Sequence, residues 1–146
     1  MIDQFRGSTY FLSNFYRHPV HIGDDVYPTA EHAYQALKAD DPADRAWVLA
    51  SETPLIAKRR GRKVRVVSYW SDIRILVMEQ VLAAKFSDRD LAGQLIATHP
   101  HTLVEGNTWH DQFWGDCHCG RCPGDGENML GVVLMELRDE LRQGPA

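Results

Sequence analysis

The chain has 146 residues and a formal net charge of −4, with 44% hydrophobic and 25% charged residues. This composition suits one globular domain and excludes a disordered, collagen-like or coiled-coil protein. No apolar run reaches the roughly 20 residues that a membrane helix needs, and the first residues lack the apolar segment of a signal peptide. We therefore expect a soluble cytoplasmic protein with no membrane partner, forming a single domain over residues 1–146.

Hydrophobic periodicity and turn residues predict the following elements in chain order. Residues 5–27 are typical of loops and short strands, with a hairpin at about 21–27. Helices are predicted over about 29–39, 43–51, 53–61, 68–86, 88–98 and 128–142. On the longest helix the expected buried stripe comprises Trp70, Ile73, Val77, Val81 and Ala84. Residues 99–127 are predicted to be irregular, with one strand near 103–105, so the fold class is α+β and predominantly helical.

One helix face carries Glu31, Gln35 and Lys38. Spacings of four and three residues place these side chains within about 60° of arc. A carboxylate beside a partly desolvated amine can act as an acid/base next to a nucleophile. A solvated ion-pair face is the more frequent use of this spacing, so spacing alone favours that interpretation.

The net charge conceals a basic segment, residues 58–65, which carries six positive charges in eight positions. Lysine binds phosphate as a point charge, and arginine does so through two parallel hydrogen bonds. Most charge runs are simply solvated, and that interpretation stays open here. Because no aromatic residues alternate with the charges, the segment does not specify nucleic acid over a small phosphate ester.

A second candidate site is the aromatic segment 109–115, in which two tryptophans and a phenylalanine surround Asp111. Such residues suit a pocket wall that stacks on a planar ring while the carboxylate bonds to ring nitrogens or sugar hydroxyls. They equally suit a loop anchored by its aromatic side chains, with Asp111 capping a turn. The pattern does not decide between the two.

The chain's three cysteines are Cys117, Cys119 and Cys122. They cannot form a disulfide framework, which indicates a reducing compartment. Together with His110 or His118 they can close a tetrahedral zinc site, which would be structural because all four ligands come from the protein. A cluster of reduced thiols is the alternative. Walker, dinucleotide-binding, HExxH and nucleophile-elbow motifs are absent from the sequence.

Over almost its whole length the chain resembles the NADAR, or YbiA-like, family. Each matching segment is weak alone, but their order and spacing together are specific. The segments are Leu12–Tyr16, Tyr27–Lys38, Pro54–Lys58 with Gly61 and Arg62, Trp70 with Arg74 and Met78, Lys85 with Phe86, Leu103–Glu105, Asp111 with Phe113–Gly115, and Gly126–Gly131 leading to Leu134–Arg138.

The resemblance implies an N-glycosidase that acts on ribose joined to nitrogen and requires no catalytic cofactor. Two substrate classes are attached to the family. One is ADP-ribose on guanine bases of nucleic acid, removed in some cases by the antitoxin of a DNA ADP-ribosylating toxin encoded nearby. The other is the phosphoribosylamino-pyrimidine intermediates of riboflavin synthesis. A non-catalytic module that binds ADP-ribose or phosphate is the alternative from another functional class.

The resemblance also implies residue roles. Glu31 is the expected acid/base, Lys38 the nucleophile that captures the opened sugar as a Schiff base, and Asp111 the group that orients sugar or base. The expected substrate-binding residues are Asn14, Phe15, Gln35, Lys58, Arg62, Trp70, Trp114, Gly115 and Asn128. Where the family often has a glycine-rich loop, this chain has its cysteines, so the chemistry should not need a metal. Zinc held by Cys117, Cys119 and Cys122 would be structural and could affect the loop geometry near Asp111.

Overall fold

The computed structural model describes residues 1–144, so the last two residues of the predicted domain 1–146 lie outside the described range. Its elements form two compact units, one spanning Asn14–Phe86 and the other combining Met1–Ser13 with the described residues from Ser87 onward. About 49% of the structure is helical, and small two-stranded sheets make up its β-structure. The predicted α+β, predominantly helical class is therefore confirmed. Among the described residues, none of the helices combines the length and apolar composition needed to span a membrane.

The unit Asn14–Phe86 begins with an antiparallel hairpin of β1 (Arg17–Ile22) and β2 (Asp25–Thr29). Val20 pairs with Tyr27, and both side chains are buried. Gly23 occupies the connecting turn with a φ of 58°, a backbone conformation that glycine adopts without steric cost. The hairpin predicted at about 21–27 is present but extends further in both directions.

Four helices follow in this unit: α1 (Ala30–Leu37), α2 (Pro42–Leu49), α3 (Pro54–Gly61) and α4 (Trp70–Lys85). The first three begin after side-chain caps, because Thr29, Asp41 and Thr53 accept hydrogen bonds from backbone N–H groups in the first turn. Each such cap typically stabilises a helix by about 1 kcal/mol. These caps explain why the predicted helix starts are confirmed to within a residue or two.

Helix α1 lies at the centre of this unit and contacts both strands and the other three helices. Its inner face consists of alanines, and Ala30, Ala33 and Ala36 are fully buried. They pack with Val20, Tyr27, Val48, Ala57, Val64 and Val81 in one core cluster. Small side chains let neighbouring backbones approach α1 closely, so the polar residues on this helix are buried as well.

His32 connects the start of α1 to the segment before α3. Its Nε2 lies 2.9 Å from the carbonyl oxygen of Ser51, and its Nδ1 lies 2.7 Å from Oγ1 of Thr29. Because a carbonyl only accepts hydrogen bonds, Nε2 carries the proton and the hydroxyl of Thr29 donates to Nδ1. Burial lowers the pKa of His32, consistent with this neutral form.

The predicted buried stripe of α4 is wrong in its N-terminal half. Trp70, Ile73 and Val77 are only partly buried, whereas Met78, Val81, Leu82 and Lys85 are buried. The helix packs on β1 and α1, and its buried residues lie in its C-terminal half. Because the buried face includes a lysine, the spacing of apolar residues alone does not predict it.

The other unit contains a 3₁₀ helix (Gly7–Leu12), α5 (Arg89–Ala97) and α6 (Met129–Gln143). Its two-residue strands β3 (Gly106–Asn107) and β4 (Asp116–Cys117) pair in parallel. The strand expected near 103–105 is misplaced, because Leu103 forms only a single bridge with Ile2. Buried Arg138 on α6 donates to Oγ1 of Thr98 at 3.0 Å and to the carbonyl of His101 at 2.7 Å, joining α6 to the end of α5.

Candidate active site

A buried carboxylate stands in the first turn of α1. Glu31 is 8% exposed, and its backbone N–H donates to the carbonyl of Asn14 at 3.0 Å. Nε2 of Gln35 donates to Oε1 of Glu31 at 2.9 Å. The first turn of a helix also favours negative charge electrostatically. The carboxylate is therefore both desolvated and held in one orientation.

Helix α3 passes close to α1 at Gly61. A Cβ atom at this position would collide with Oε1 of Gln35 and would lie 2.7 Å from its Cδ. Only glycine allows α3 to approach while Gln35 bonds to Glu31. The motif residues of α1 and Gly61, recognised separately in the sequence, thus belong to one packing arrangement.

Two buried acceptor atoms belong to residues that hydrogen-bond to Glu31. Oε1 of Gln35 and Oδ1 of Asn14 have no hydrogen-bond partner within the described part of the chain. Buried polar atoms are rarely left unsatisfied unless a ligand or water completes them. Oε1 of Gln35 lies against Gly61, so substrate binding by Gln35 and Asn14 stays a prediction.

Lys38 is the C-terminal cap residue of α1 and is partly buried. Burial lowers the pKa of its ammonium group, Glu31 opposes that change, and the positive charge of Arg62 lowers the pKa further. Glu31, Lys38 and Arg62 therefore interact electrostatically. The structure brings them together with Gln35 and Asn14, and the burial of Glu31 and Gln35 is inconsistent with a solvated ion-pair face.

An aromatic ring on α1 packs against an aromatic ring at the start of α4. The ring of Trp70, the first residue of α4, lies 5.3 Å from that of Tyr34 with the planes inclined by 57°. Tyr34 is buried whereas Trp70 is partly exposed. Phe15 is also partly exposed, in the turn before β1. Trp70 is thus a partly exposed ring that packs against the buried ring of Tyr34.

Arg60 and Arg65 of the basic segment 58–65 contact neighbouring elements. Arg60 donates from Nη1 to the carbonyl of Trp47 at 2.7 Å and lies over its ring at 4.9 Å, and Arg65 pairs with Asp40 at 2.6 Å. Lys58 is partly buried in the last turn of α3, and Arg62 is exposed immediately after it. Arg59 and Lys63 are exposed in the same stretch.

In the other unit, Asp111 caps a turn. Its Oδ1 accepts from the N–H of Phe113 at 3.1 Å and of Trp114 at 2.9 Å. Asn107 holds the backbone of Asp111 on both sides, accepting from its N–H at 3.1 Å and donating to its carbonyl at 2.8 Å. This is the turn-capping arrangement that the sequence left open. Asn107 was missed by sequence reasoning because only the fold brings it to Asp111.

Gly115 and Asn128 lie beside that turn. The N–H of Asn128 donates to the carbonyl of Gly115, and a Cβ at Gly115 would collide with the carbonyl of Glu105. The Asn128 side chain accepts from the N–H of Glu105 at 2.9 Å and donates to the carbonyl of Leu103 at 2.8 Å. These contacts fix the backbone. The substrate roles expected of Asp111, Trp114, Gly115 and Asn128 stay predictions.

The three cysteines converge with a histidine in the same unit. Nδ1 of His110 and the sulfur atoms of Cys117, Cys119 and Cys122 all lie within 4.8 Å of one another. His118, the other candidate, pairs instead with Asp116 at 3.3 Å. The cluster can therefore hold a metal ion, with His110 as the histidine ligand.

Lys85 is a second unusual lysine, which in the sequence belongs to the family motif Lys85 with Phe86. Its side chain is fully buried in α4. The ammonium lies 5.7 Å from the ring of Tyr16 and 5.2 Å from that of Phe86, distances typical of cation–π contacts. Lys85 follows Val81 by four residues, which places both on one helix face. Since Val81 is on the predicted buried stripe, this spacing could have indicated that Lys85 is buried.

Comparison with known proteins identifies the family to which this chain belongs. The NADAR domain model matches residues 3–142. The Escherichia coli N-glycosidase YbiA is 37% identical over 133 residues, which cover 89% of this chain and 80% of that protein. An N-glycosidase of Nostoc punctiforme is 35% identical over 137 residues, covering 90% and 85%. A riboflavin biosynthesis protein of Vibrio vulnificus is 38% identical over 136 residues, covering 91% of this chain but 36% of that protein.

A solved structure agrees with these sequence matches. The NMR structure of Escherichia coli YbiA superposes with a TM-score of 0.83 at 34% identity, covering 98% of this chain and 88% of that chain. The predicted family and enzyme class are thereby confirmed. The chain belongs to the NADAR family and is an N-glycosidase, a hydrolase that acts on N-glycosyl bonds.

Proposed function

We propose that the protein hydrolyses the bond between the anomeric carbon and nitrogen of a phosphorylated N-riboside, using Glu31 and Lys38. The observation that carries this proposal is the buried Glu31 carboxylate, which is oriented by Gln35 and coupled electrostatically to a partly desolvated Lys38. If Glu31 only formed a structural ion pair, its carboxylate would not need an amide to orient it. The amide of Gln35 orients it, although the amide's own oxygen is left buried without a hydrogen-bond partner among the described residues.

The proposed reaction begins with proton donation from Glu31 to the departing base nitrogen. The neutral amine of Lys38 attacks the anomeric carbon as the C–N bond breaks. The ring C–O bond then opens while one amine proton passes to the ring oxygen, so the opened sugar is held on Lys38 as a protonated Schiff base. Glu31 then removes a proton from the water that hydrolyses the adduct, which restores both groups. Positive charge develops on the sugar in such a reaction, so a nearby carboxylate also stabilises the transition state.

Substrate binding is assigned to the residues around this pair. Lys58 and Arg62 are suited to the 5′-phosphate, and the partly exposed ring of Trp70 offers a stacking surface. Asn14 and Gln35, which adjoin the carboxylate, are assigned to the ribose. Arg62 then has two effects, since its charge both attracts phosphate and lowers the pKa of Lys38.

Our first candidate substrate is ADP-ribose linked to guanine in nucleic acid. Arg59 and Lys63 are exposed beside Lys58 and Arg62, which provides more positive charge than a single 5′-phosphate requires. This substrate implies an antitoxin-like reversal of DNA ADP-ribosylation, with the modifying toxin as functional partner. The second candidate is a phosphoribosylamino-pyrimidine, favoured by relatives from Vibrio vulnificus and Zea mays that are named riboflavin biosynthesis proteins.

Offering both substrates to the purified protein distinguishes these candidates. We expect release of ADP-ribose from ADP-ribosylated DNA with a higher kcat/KM than release of pyrimidine from the phosphoribosylamino compound. The reverse order would assign the enzyme to the riboflavin intermediates. Saturable ADP-ribose binding without cleavage of either compound would instead support the non-catalytic module and overturn the proposal.

A further inference from the structure

The spacing of the His110 and cysteine side chains matches a tetrahedral metal site. Nδ1 of His110 lies 3.2, 3.5 and 3.7 Å from the sulfur atoms of Cys122, Cys119 and Cys117, and the sulfurs of Cys119 and Cys122 are 3.6 Å apart. A zinc ion with bonds of about 2.3 Å to sulfur and about 2.0 Å to nitrogen separates its ligands by about 3.5–3.8 Å. The four side chains converge on one point, with no two of their ligand atoms more than 4.8 Å apart.

We propose that His110, Cys117, Cys119 and Cys122 form a structural zinc site. Thiolate and imidazole ligands in tetrahedral arrangement select zinc over harder cations such as magnesium or calcium. Each of the three thiols releases its proton to solvent as its sulfur–zinc bond forms, and His110 binds as the neutral ring. With all four positions filled by protein atoms, no position stays open for a reacting water, so the ion stabilises the loop and performs no chemistry.

Hydrogen bonds, a strand pairing and a glycine turn hold the backbone around these ligands. The N–H of Cys117 donates to Oε1 of Gln112 at 2.6 Å, and Cys117 pairs with Asn107 across the two short strands. Gly120 lies between Cys119 and Cys122 with a φ of 81°, which permits the tight turn joining them. The N–H of Arg121 donates to the sulfur of Cys119 at 3.3 Å, an outer hydrogen bond that stabilises a ligating thiolate.

The backbone of His110 has an uncommon conformation. Its φ of 71° lies in the left-handed region, which non-glycine residues rarely occupy. Such a conformation persists where surrounding contacts hold it. A bond from Nδ1 to zinc would supply that restraint one residue before Asp111, so the ion would fix the turn that Asp111 caps.

Metal content of the intact protein tests the proposal directly. The protein is purified under reducing conditions, exposed to zinc, freed of unbound ion and examined by native mass spectrometry. We expect one zinc per chain, lost on treatment with a strong chelator together with a fall in the Tm. A chain that stays metal-free with three titratable thiols would overturn the proposal.

Two histidine variants provide a matched comparison. His110→Ala should weaken zinc binding by more than the 10–100-fold that loss of an outer hydrogen bond costs, whereas His118→Ala should retain the ion. Cobalt(II) offers a second readout that does not depend on stability, since its visible absorption reports tetrahedral thiolate coordination in the wild-type chain. Equal zinc affinity in both variants, or an absorption spectrum of octahedral cobalt in the wild-type protein, would contradict the site.

Discussion

Gln35 and Gly61 determine each other's positions, because the amide that holds the carboxylate of Glu31 occupies the space that a Cβ at position 61 would need. Replacing Gly61 by alanine should therefore displace Gln35 and disorient Glu31. We expect a loss of about 1–3 kcal/mol in the free energy of unfolding, typical of overpacking, together with reduced kcat. Urea denaturation and steady-state kinetics measure the two effects.

Gly93 on α5 is the matched control for that substitution, because a Cβ there meets no atom within 4 Å. Gly93→Ala should stabilise the protein by up to about 1 kcal/mol through helix propensity, with activity unchanged. If Gly61→Ala behaves like Gly93→Ala, the close approach of α3 to α1 does not support the carboxylate.

Removal of the Glu31 carboxylate should abolish most of the activity. Glu31→Gln keeps the size and polarity of the side chain but cannot exchange a proton, so kcat should fall by at least about 100-fold. Glu79→Gln, an exposed change on α4, should leave kcat unaltered. Circular dichroism verifies that both variants fold. Near-normal turnover of folded Glu31→Gln would refute the acid/base assignment.

The proposed Schiff base can be captured chemically. Borohydride added during turnover should reduce the adduct and add the mass of the sugar product to the protein, at Lys38 in the peptide map. Lys38→Ala should show no such adduct. If an adduct still forms at another lysine, such as buried Lys85, that lysine is the nucleophile and the assignment of Lys38 is wrong.

The positive charge of Arg62 should affect the pH dependence of the reaction through the pKa of Lys38. Because Arg62 lowers the pKa of Lys38, Arg62→Gln should raise it, and the neutral amine should then appear only at higher pH. The acid side of the kcat/KM profile should move to higher pH accordingly. Arg62→Lys should restore the wild-type position, and Arg89→Gln, an exposed change on α5, should leave it in place. An unchanged profile in Arg62→Gln would rule out this coupling.

His32 should make the protein less stable in mild acid. Its folded-state pKa is lowered by burial from the usual 6.5, so the unfolded chain takes up a proton first as the pH falls. The free energy of unfolding should therefore decrease below about pH 6.5 and level off only below the folded-state pKa. Urea denaturation across this range should show a weaker decrease for His32→Gln. An equal decrease in both proteins would assign the effect to other groups.

Much of α1 and its surroundings is predictable from local sequence. Thr29 signals the helix start, and the spacing of Glu31, Gln35 and Lys38 places them on one face. Burial of that polar face is not predictable from spacing, because it depends on how closely α3 approaches at Gly61. Tertiary packing, which local periodicity does not contain, decides whether such a face is solvated.

The segment 99–127 was harder to predict for a different reason. Strands β3 and β4 are two residues long and pair in parallel, so they show no hydrophobic alternation. The choice of His110 over His118 depends on a left-handed backbone conformation that the sequence does not signal. Contacts distant in sequence determine both features.

The His32 bridge between Thr29 and Ser51 has a consequence for local opening. The first turn of α1 cannot fray without breaking the contact with Ser51, which precedes the capped start of α3. Segments joined in this way usually open as one cooperative unit, so amide protons at the start of α1 and near Ser51 should exchange with solvent together. Glu31 lies within that unit, where its position is protected from the end fraying usual for a residue in the first turn of a helix.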